Sequence, residues 1–180
     1  MGGIKSFQFY KLITGVLTTV SFRKEEILEA LSEEYGEIDY ISPFLDFIYT
    51  DYYNLEMGED IKRFFVSFKN LVDPASLADI KIGTNNLEKQ FTEIDQNGIE
   101  SRKVNFDPGI LNLSRLILAS TKDNAHRIPL SKGIYGEITL LFQKGKAQPL
   151  PWSFIDYQSA EYTEILFKIR DIYKSDLKKI

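Results

Sequence analysis

The chain contains no cysteine, which removes disulfides, zinc–thiolate sites and thiol nucleophiles from consideration and fits a reducing compartment; a cytoplasmic protein is expected. It has one histidine, His126, which excludes every mechanism or metal site that needs two. No apolar run approaches the roughly 18 residues of a membrane span, and Met1–Tyr10 lacks the apolar core of a secretory signal, so no membrane partner is expected. A basic surplus is missing too. Lys and Arg number 22 against 26 Asp and Glu, a net charge of −4, which argues against a DNA or RNA partner while leaving room for a local basic spot. Repeats, low-complexity tracts and long linkers are absent, so residues 1–180 read as a single domain large enough to bury its own core.

What is abundant is aromatic: 13 Phe and 10 Tyr, which favours a sheet-rich fold. Phe9 to Phe22 carries Leu12, Val16, Leu17 and Val20 among β-branched residues and reads as a first strand. From Arg23 to Tyr35 the period changes, with Ile27, Leu28, Leu31 and Tyr35 at helical spacing and Gly36 where a C-cap belongs. Ile38 to Tyr49, broken by Pro43, reads as a second strand, Asp51 to Asp60 as a loop, and Ile61 to Phe68 as an antiparallel partner. Asp73-Pro74 is a capped helix start, continued by Leu77, Ile80, Thr84, Leu87 and Phe91. Asp95–Gly98 reads as a turn and Arg102 to Phe106 as a short strand, closed by Asp107-Pro108-Gly109 as a further turn. The expected class is α+β around a mainly antiparallel sheet, with ferredoxin-like β-α-β-β-α-β order in residues 9–107.

Beyond this point the pattern predicts strands at Leu116–Ala119, His126–Leu130 and Ile134–Gln143, with turns at Lys132-Gly133 and Lys144-Gly145. Alternation in the long strand puts Ile134, Gly136, Ile138 and Leu140 on one side and Tyr135, Glu137 and Thr139 on the other. Gln148–Trp152 is too rich in proline for a central strand. The final helix, from about Gln158, carries Tyr162, Ile165, Leu166, Ile169, Ile172 and Tyr173 on one stripe and ends in Lys174, Lys178 and Lys179, which suits the helix dipole. A C-terminal β-hairpin and helix therefore complete the expected fold.

The candidate chemistry lies where an apolar strand ends in Ser120, Thr121, Lys122, Asp123, Asn124, His126 and Arg127, since a rigid strand fixes where the first loop residues point. His126 reads either as a general base or as a strand-start histidine bonded to backbone. Lys122 and Arg127, with Thr121 and Asp123, form a candidate clamp for phosphate or carboxylate, or else ordinary solvated charge. Asp107 is a catalytic carboxylate or a turn residue, and Glu137 an acid facing a pocket or a solvated sheet face. Asp46, Tyr49, Asp51, Tyr52 and Tyr53 make an acidic–aromatic cluster that suits either stacking on a ligand ring or strand-end packing. Lys81, Asn85 and Lys89 share one helix face and read as a solvated stripe or an extension of a binding surface. No metal site is expected; only oxygen ligands from Asp107, Asp123 or Glu137 would be at hand.

Several strings together resemble one family. They are Tyr49-Thr50-Asp51-Tyr52-Tyr53 with Glu56-Met57-Gly58, Asn105–Gly109, Ala119–Asp123 with Ala125-His126-Arg127, Gly133–Glu137, and Leu150-Pro151-Trp152 before Asp156-Tyr157. The chain resembles domain-of-unknown-function family 4416, bacterial and archaeal proteins of about this size, from its first strand to its last helix. The family carries no established activity, and some members bear the label GTP-binding protein. The residues do not support a GTPase of the phosphate-loop kind: no G-x-x-x-x-G-K-[ST] string occurs, Asp95–Gly98 is turn chemistry, and Thr121-Lys122-Asp123 has its aspartate one residue too early for guanine reading. The expected function is a pocket near the 120–127 loop for a small anionic molecule, a phosphate or nucleotide, with catalysis and cofactor undetermined. The alternative is a non-enzymatic module that dimerises, as a homo-oligomer, through a sheet edge or the final helix.

Overall fold

A computed structural model describes residues 3–19, 23–58, 60–94, 98 and 100–179, apart from the Leu55 side chain. The expected residues Val20–Phe22 of the first strand and Asp95–Asn97 of the turn lie outside these. The chain forms β1 (Tyr10–Thr18), α1 (Lys24–Tyr35), β2 (Ile38–Ile41), β3 (Leu45–Asp46), α2 (Asn54–Met57), β4 (Lys62–Val72) and α3 (Leu77–Glu88). Next come β5 (Thr92–Ile94), β6 (Glu100–Arg102), β7 (Val104–Leu111), β8 (Arg115–Ser120), β9 (Ile128–Ser131), β10 (Ile134–Gln143), β11 (Lys146–Pro149) and α4 (Ala160–Asp176).

Nine strands make one antiparallel sheet in the order β11-β10-β8-β7-β1-β4-β2, with β3 added to β4 and β9 to β10; β5 and β6 form a separate ribbon. The mainly antiparallel α+β class is what the sequence predicts. The succession over residues 9–107 is richer than six elements, because β3, α2 and the β5–β6 ribbon interrupt it. Pro43 divides the expected strand Ile38–Tyr49 into β2 and β3, and the loop after it closes on α2.

Eight of the nine β1 residues are buried, facing alternate sides, so β1 lies inside the molecule on both sides. On one face Leu12, Val16, Phe64, Val66 and Phe106 pack against Ile27 and Leu31 of α1 and Ile80 and Leu87 of α3. On the other, Ile13, Phe65, Leu116 and Leu140 pack under Tyr162, Ile165, Leu166, Ile169 and Tyr173, the stripe of α4. Ser159 starts α4 by accepting the Tyr162 N–H, a cap worth about 1 kcal/mol. The hairpins at Lys132-Gly133 and Lys144-Gly145 put both central residues at positive φ, the geometry that matches the strand twist in a two-residue turn.

Three expectations are corrected. Asp107-Pro108-Gly109 is no turn but the middle of β7, and Arg102 belongs to the neighbouring ribbon. His126 and Arg127 precede β9 rather than start it. The alternation in β10 breaks where its register with β8 shifts between Ile138 and Leu140, so Ile134 packs under α3 and Leu140 under α4 instead of sharing a side. Gln148 and Pro149 lie in the edge strand β11, and Leu150–Trp152 leave the sheet, as their prolines require.

Candidate functional site

The site begins as a gap in the sheet. β8 pairs with β7 only along Gly109–Leu111, so residues 104–108 of β7 lack a strand neighbour on that side. Two side chains of α3 take the place of the missing strand: Glu88 Oε1 accepts the Phe106 N–H at 2.8 Å, and Lys81 Nζ donates to the Phe106 carbonyl at 2.8 Å. By the alternation of strand hydrogen bonds, Pro108 faces the same open side as Phe106. Its missing N–H therefore costs no ladder bond, which explains a proline inside a sheet. The gap widens into a cleft of about 620 Å³ bounded by β4, α3, β7, β8, β10 and the segments 47–53 and 153–157.

Toward α4 the cleft floor is built on Arg63. Its guanidinium donates from Nη1 to Asp107 Oδ2 at 2.7 Å and from Nη2 to Asp156 Oδ2 at 3.4 Å, and its side chain is only 3% exposed. Asn105 Nδ2 holds the other Asp107 oxygen at 2.9 Å. Gly15 lies on β1 between Arg63 and Asp107, and a Cβ there would stand 2.5 Å from Arg63 Nη1, so glycine is what lets the guanidinium cross the strand. Burial opposes ionisation of Asp107, but Arg63 and Lys81 outweigh it and hold the carboxyl below the usual range. For Asp156 burial prevails over Arg63 and pushes the carboxyl up. Burial raises the Tyr157 hydroxyl well above the usual phenol value, and among the described residues that hydroxyl has no hydrogen-bond partner.

Toward the mouth, Arg127 and Glu137 form a buried pair at 2.7 Å, with side chains 7% and 2% exposed. Arg127 Nη1 also donates to Ser120 Oγ and to the Lys122 carbonyl, both at 2.8 Å, and so fastens the loop. Lys122 points its amine at the Tyr52 hydroxyl, 2.8 Å away. On the inner side Arg102 spans Glu88 at 2.6 Å and Glu56 at 2.9 Å.

Of the residues singled out in the sequence, Asp107, Thr121, Lys122, Arg127 and Glu137 line this cleft, whereas His126 and Asp123 do not. His126 Nε2 donates to Glu137 Oε2 at 3.1 Å, and its ring stacks on Trp152 at 5.3 Å, outside the lining. His126→Gln is therefore expected to change stability by about 1 kcal/mol or less and to leave ligand affinity intact. Chemical denaturation and titration of the variant check this, and a tenfold loss of affinity would restore a direct role. Asp123 is exposed in the loop, and among the described residues no three acidic or histidine side chains group as metal ligands. Tyr49, Tyr52 and Tyr53 line the cleft, while Asp46 pairs with Lys62 outside it.

Sequence reasoning did not single out Arg63, Asn105 or Asp156 as site residues. One signal pointed to Arg63: an arginine in a strand rich in Phe and Val needs a buried acid partner. Lys81 and Asn85 belong to the cleft rather than to a solvated stripe, whereas Lys89 is exposed.

Together these features describe a mixed α+β protein with a charged cleft opened by an unpaired half-strand. The chain belongs to the family described as Domain of unknown function (DUF4416), whose model matches residues 8–173. No curated protein and no solved structure matches the chain.

Proposed function

We propose that the cleft binds a small anionic molecule, a phosphate-bearing one such as a nucleotide. One observation carries this reading. The cleft is lined by the cations Arg63, Lys81, Arg102, Lys122 and Arg127 and by the acids Glu88, Asp107, Glu137 and Asp156, in a chain whose net charge is −4. Three of the cations are ion-paired, but among the described residues Lys81 and Lys122 bond only neutral oxygens, the Phe106 carbonyl and the Tyr52 hydroxyl. Lys122, an exposed amine with no acid partner among the described residues, supplies the attracting charge at the mouth. In this reading Lys122 and the Ser120–Thr121 turn meet the ligand at the mouth, and Arg127, neutralised by Glu137, holds the turn in place. Phe154, half exposed in the lining, is the ring available to a base or another planar group, while the Tyr52 face already carries the Lys122 amine.

Titration with inorganic phosphate and with adenosine monophosphate, followed by backbone amide shifts and by melting temperature, tests the reading. Shifts near residues 118–127 and a rise in melting temperature are expected, both reduced by salt. Lys122→Ala should weaken binding roughly tenfold or more, the loss of one charge-assisted hydrogen bond of about 1.5–3 kcal/mol. No shifts and no stabilisation by either probe would remove the proposal. A second reading, an interaction module, rests on the exposed apolar side chains Ile128, Leu130, Trp152, Phe154 and Ile155 beside the same mouth. Concentration-dependent self-association measured by sedimentation would favour it.

A further inference from the structure

Two lysines of this chain are almost wholly buried, and their surroundings differ in kind. Lys11 is held by two carboxylates, Asp39 and Asp176, at the far end of β1 from the cleft and lines no cleft wall. Lys81 is 7% exposed, lines the cleft, and spends one N–H on the Phe106 carbonyl with no carboxylate within salt-bridge distance among the described residues. Its two remaining amine positions are uncommitted to any acid, at the point where β7 lacks a strand neighbour. We infer that Lys81 is a covalent amine of this cleft, forming an imine with the carbonyl carbon of a small oxo compound that also carries an anionic group. The inference rests on the proposed anion-binding reading, since Lys122 at the mouth would hold the anionic end while Lys81 meets the carbonyl.

Burial disfavours the charged ammonium and lowers the Lys81 pKa, against the opposing pull of Asp107 and Glu88. Near neutral pH each unit of such lowering raises the fraction of reactive free amine about tenfold. The step begins as the Nζ lone pair forms a bond to the carbonyl carbon and the C=O π pair moves to oxygen. That oxygen takes a proton, and nitrogen releases one, giving a carbinolamine. The hydroxyl then leaves with a second proton as water while the nitrogen lone pair closes the C=N bond. The net change is carbonyl plus amine plus one proton giving iminium plus water, with no oxidant or reductant. The cleft opens to solvent at its mouth, beside exposed Lys122, and the protons that nitrogen releases and oxygen takes up are exchanged with water there.

The test incubates the intact protein with pyruvate in one arm and pyridoxal phosphate in another, adds cyanoborohydride to trap any imine as a secondary amine, and maps the adduct by peptide mass spectrometry. The two arms distinguish an oxo acid from a phosphorylated aldehyde. The expected result in at least one arm is labelling of Lys81 at least about tenfold faster than of any exposed lysine, slowed by excess inorganic phosphate and lost in Lys81→Arg. That variant keeps a donor for the Phe106 carbonyl but forms no such adduct, and its melting temperature reports whether it folds. Should it fail to fold, the map of the unaltered protein still decides. Labelling confined to exposed lysines such as Lys122, or none at Lys81 in either arm, overturns the inference. If phosphate still shifts residues 118–127 in that case, the anion-binding reading stands without it; if phosphate binding fails as well, both fall.

Discussion

Replacing Arg63 by methionine is expected to lower the unfolding free energy by about 3–5 kcal/mol, the usual cost of stripping one partner from a buried ion pair. For a chain of this size that corresponds to a fall of roughly 10 °C in melting temperature. The size follows from what is left behind. Asp107 would keep one amide partner, Asn105, and lose the guanidinium that offsets its burial. Methionine would still fill much of the space beside the Phe47 and Phe65 rings, which lie 5.3 and 5.8 Å from the guanidinium, so packing is not the main loss.

The deficit should also depend on pH. Asp107 has its folded pKa depressed, so its contribution is present above the unfolded value of about 3.9 and disappears as pH falls through the folded value. Asp156 has its folded pKa raised, so its contribution is present below about 3.9 and is lost as pH rises through the folded value. Without Arg63 both carboxyls resist ionisation, and both would then favour the folded state at low pH. The penalty of Arg63→Met should therefore be large near pH 7 and shrink toward pH 4. Urea melts of both proteins at the two pH values measure it, and a penalty that stays constant would show that Arg63 acts through packing alone.

Why Arg63 escaped the sequence reading while Lys122 and Arg127 did not has a physical cause. Loop charges after a strand are visible as a local string, and the 120–127 turn was found that way. Arg63, Asp107 and Asp156 are joined only by sheet register, through Leu17 opposite Arg63 and Gly15 opposite Asp107, and by the return of the 153–157 segment. Nothing local in the sequence states that register. The three longer helices, α1, α3 and α4, were legible because periodicity and caps are local: Gly36 marks the end of α1, Asp73-Pro74 the approach to α3, and the stripe of α4 is the buried one, whereas the single turn α2 is too short to show a period. Asp107-Pro108-Gly109 misled for the opposite reason. Its turn chemistry is real, but the open side of β7 removes the penalty that normally keeps proline out of a sheet. The break in alternation at Ile138–Leu140 is equally silent, since a bulge changes which side chains face the core without changing any residue type.

The same open edge leads to the second large effect, expected for Gly109→Ala. Gly109 forms the first rung between β7 and β8, opposite Leu118, and the strands diverge from there into the cleft. A Cβ at Gly109 would stand 2.7 Å from the Ile117 carbonyl oxygen and 2.7 Å from Leu118 Cδ2. The leucine tip can rotate, but the carbonyl belongs to a strand already fixed on its other side by β10, where Ile117 lies opposite Ile138. Relief must come from the two strands parting at that rung, at a cost of about 1–3 kcal/mol typical of overpacking. Because that rung is where the strands part, the change should also move Asp107 away from Leu118–Ser120 and weaken the proposed phosphate binding more than its effect on global stability implies. Hydrogen exchange should show faster amides along 109–111 and 116–118, with β1–β4 protection retained. An unchanged melting temperature together with unchanged exchange at those positions would mean that the cleft does not depend on this glycine, and that the gap is held open by α3, through Lys81 and Glu88, instead.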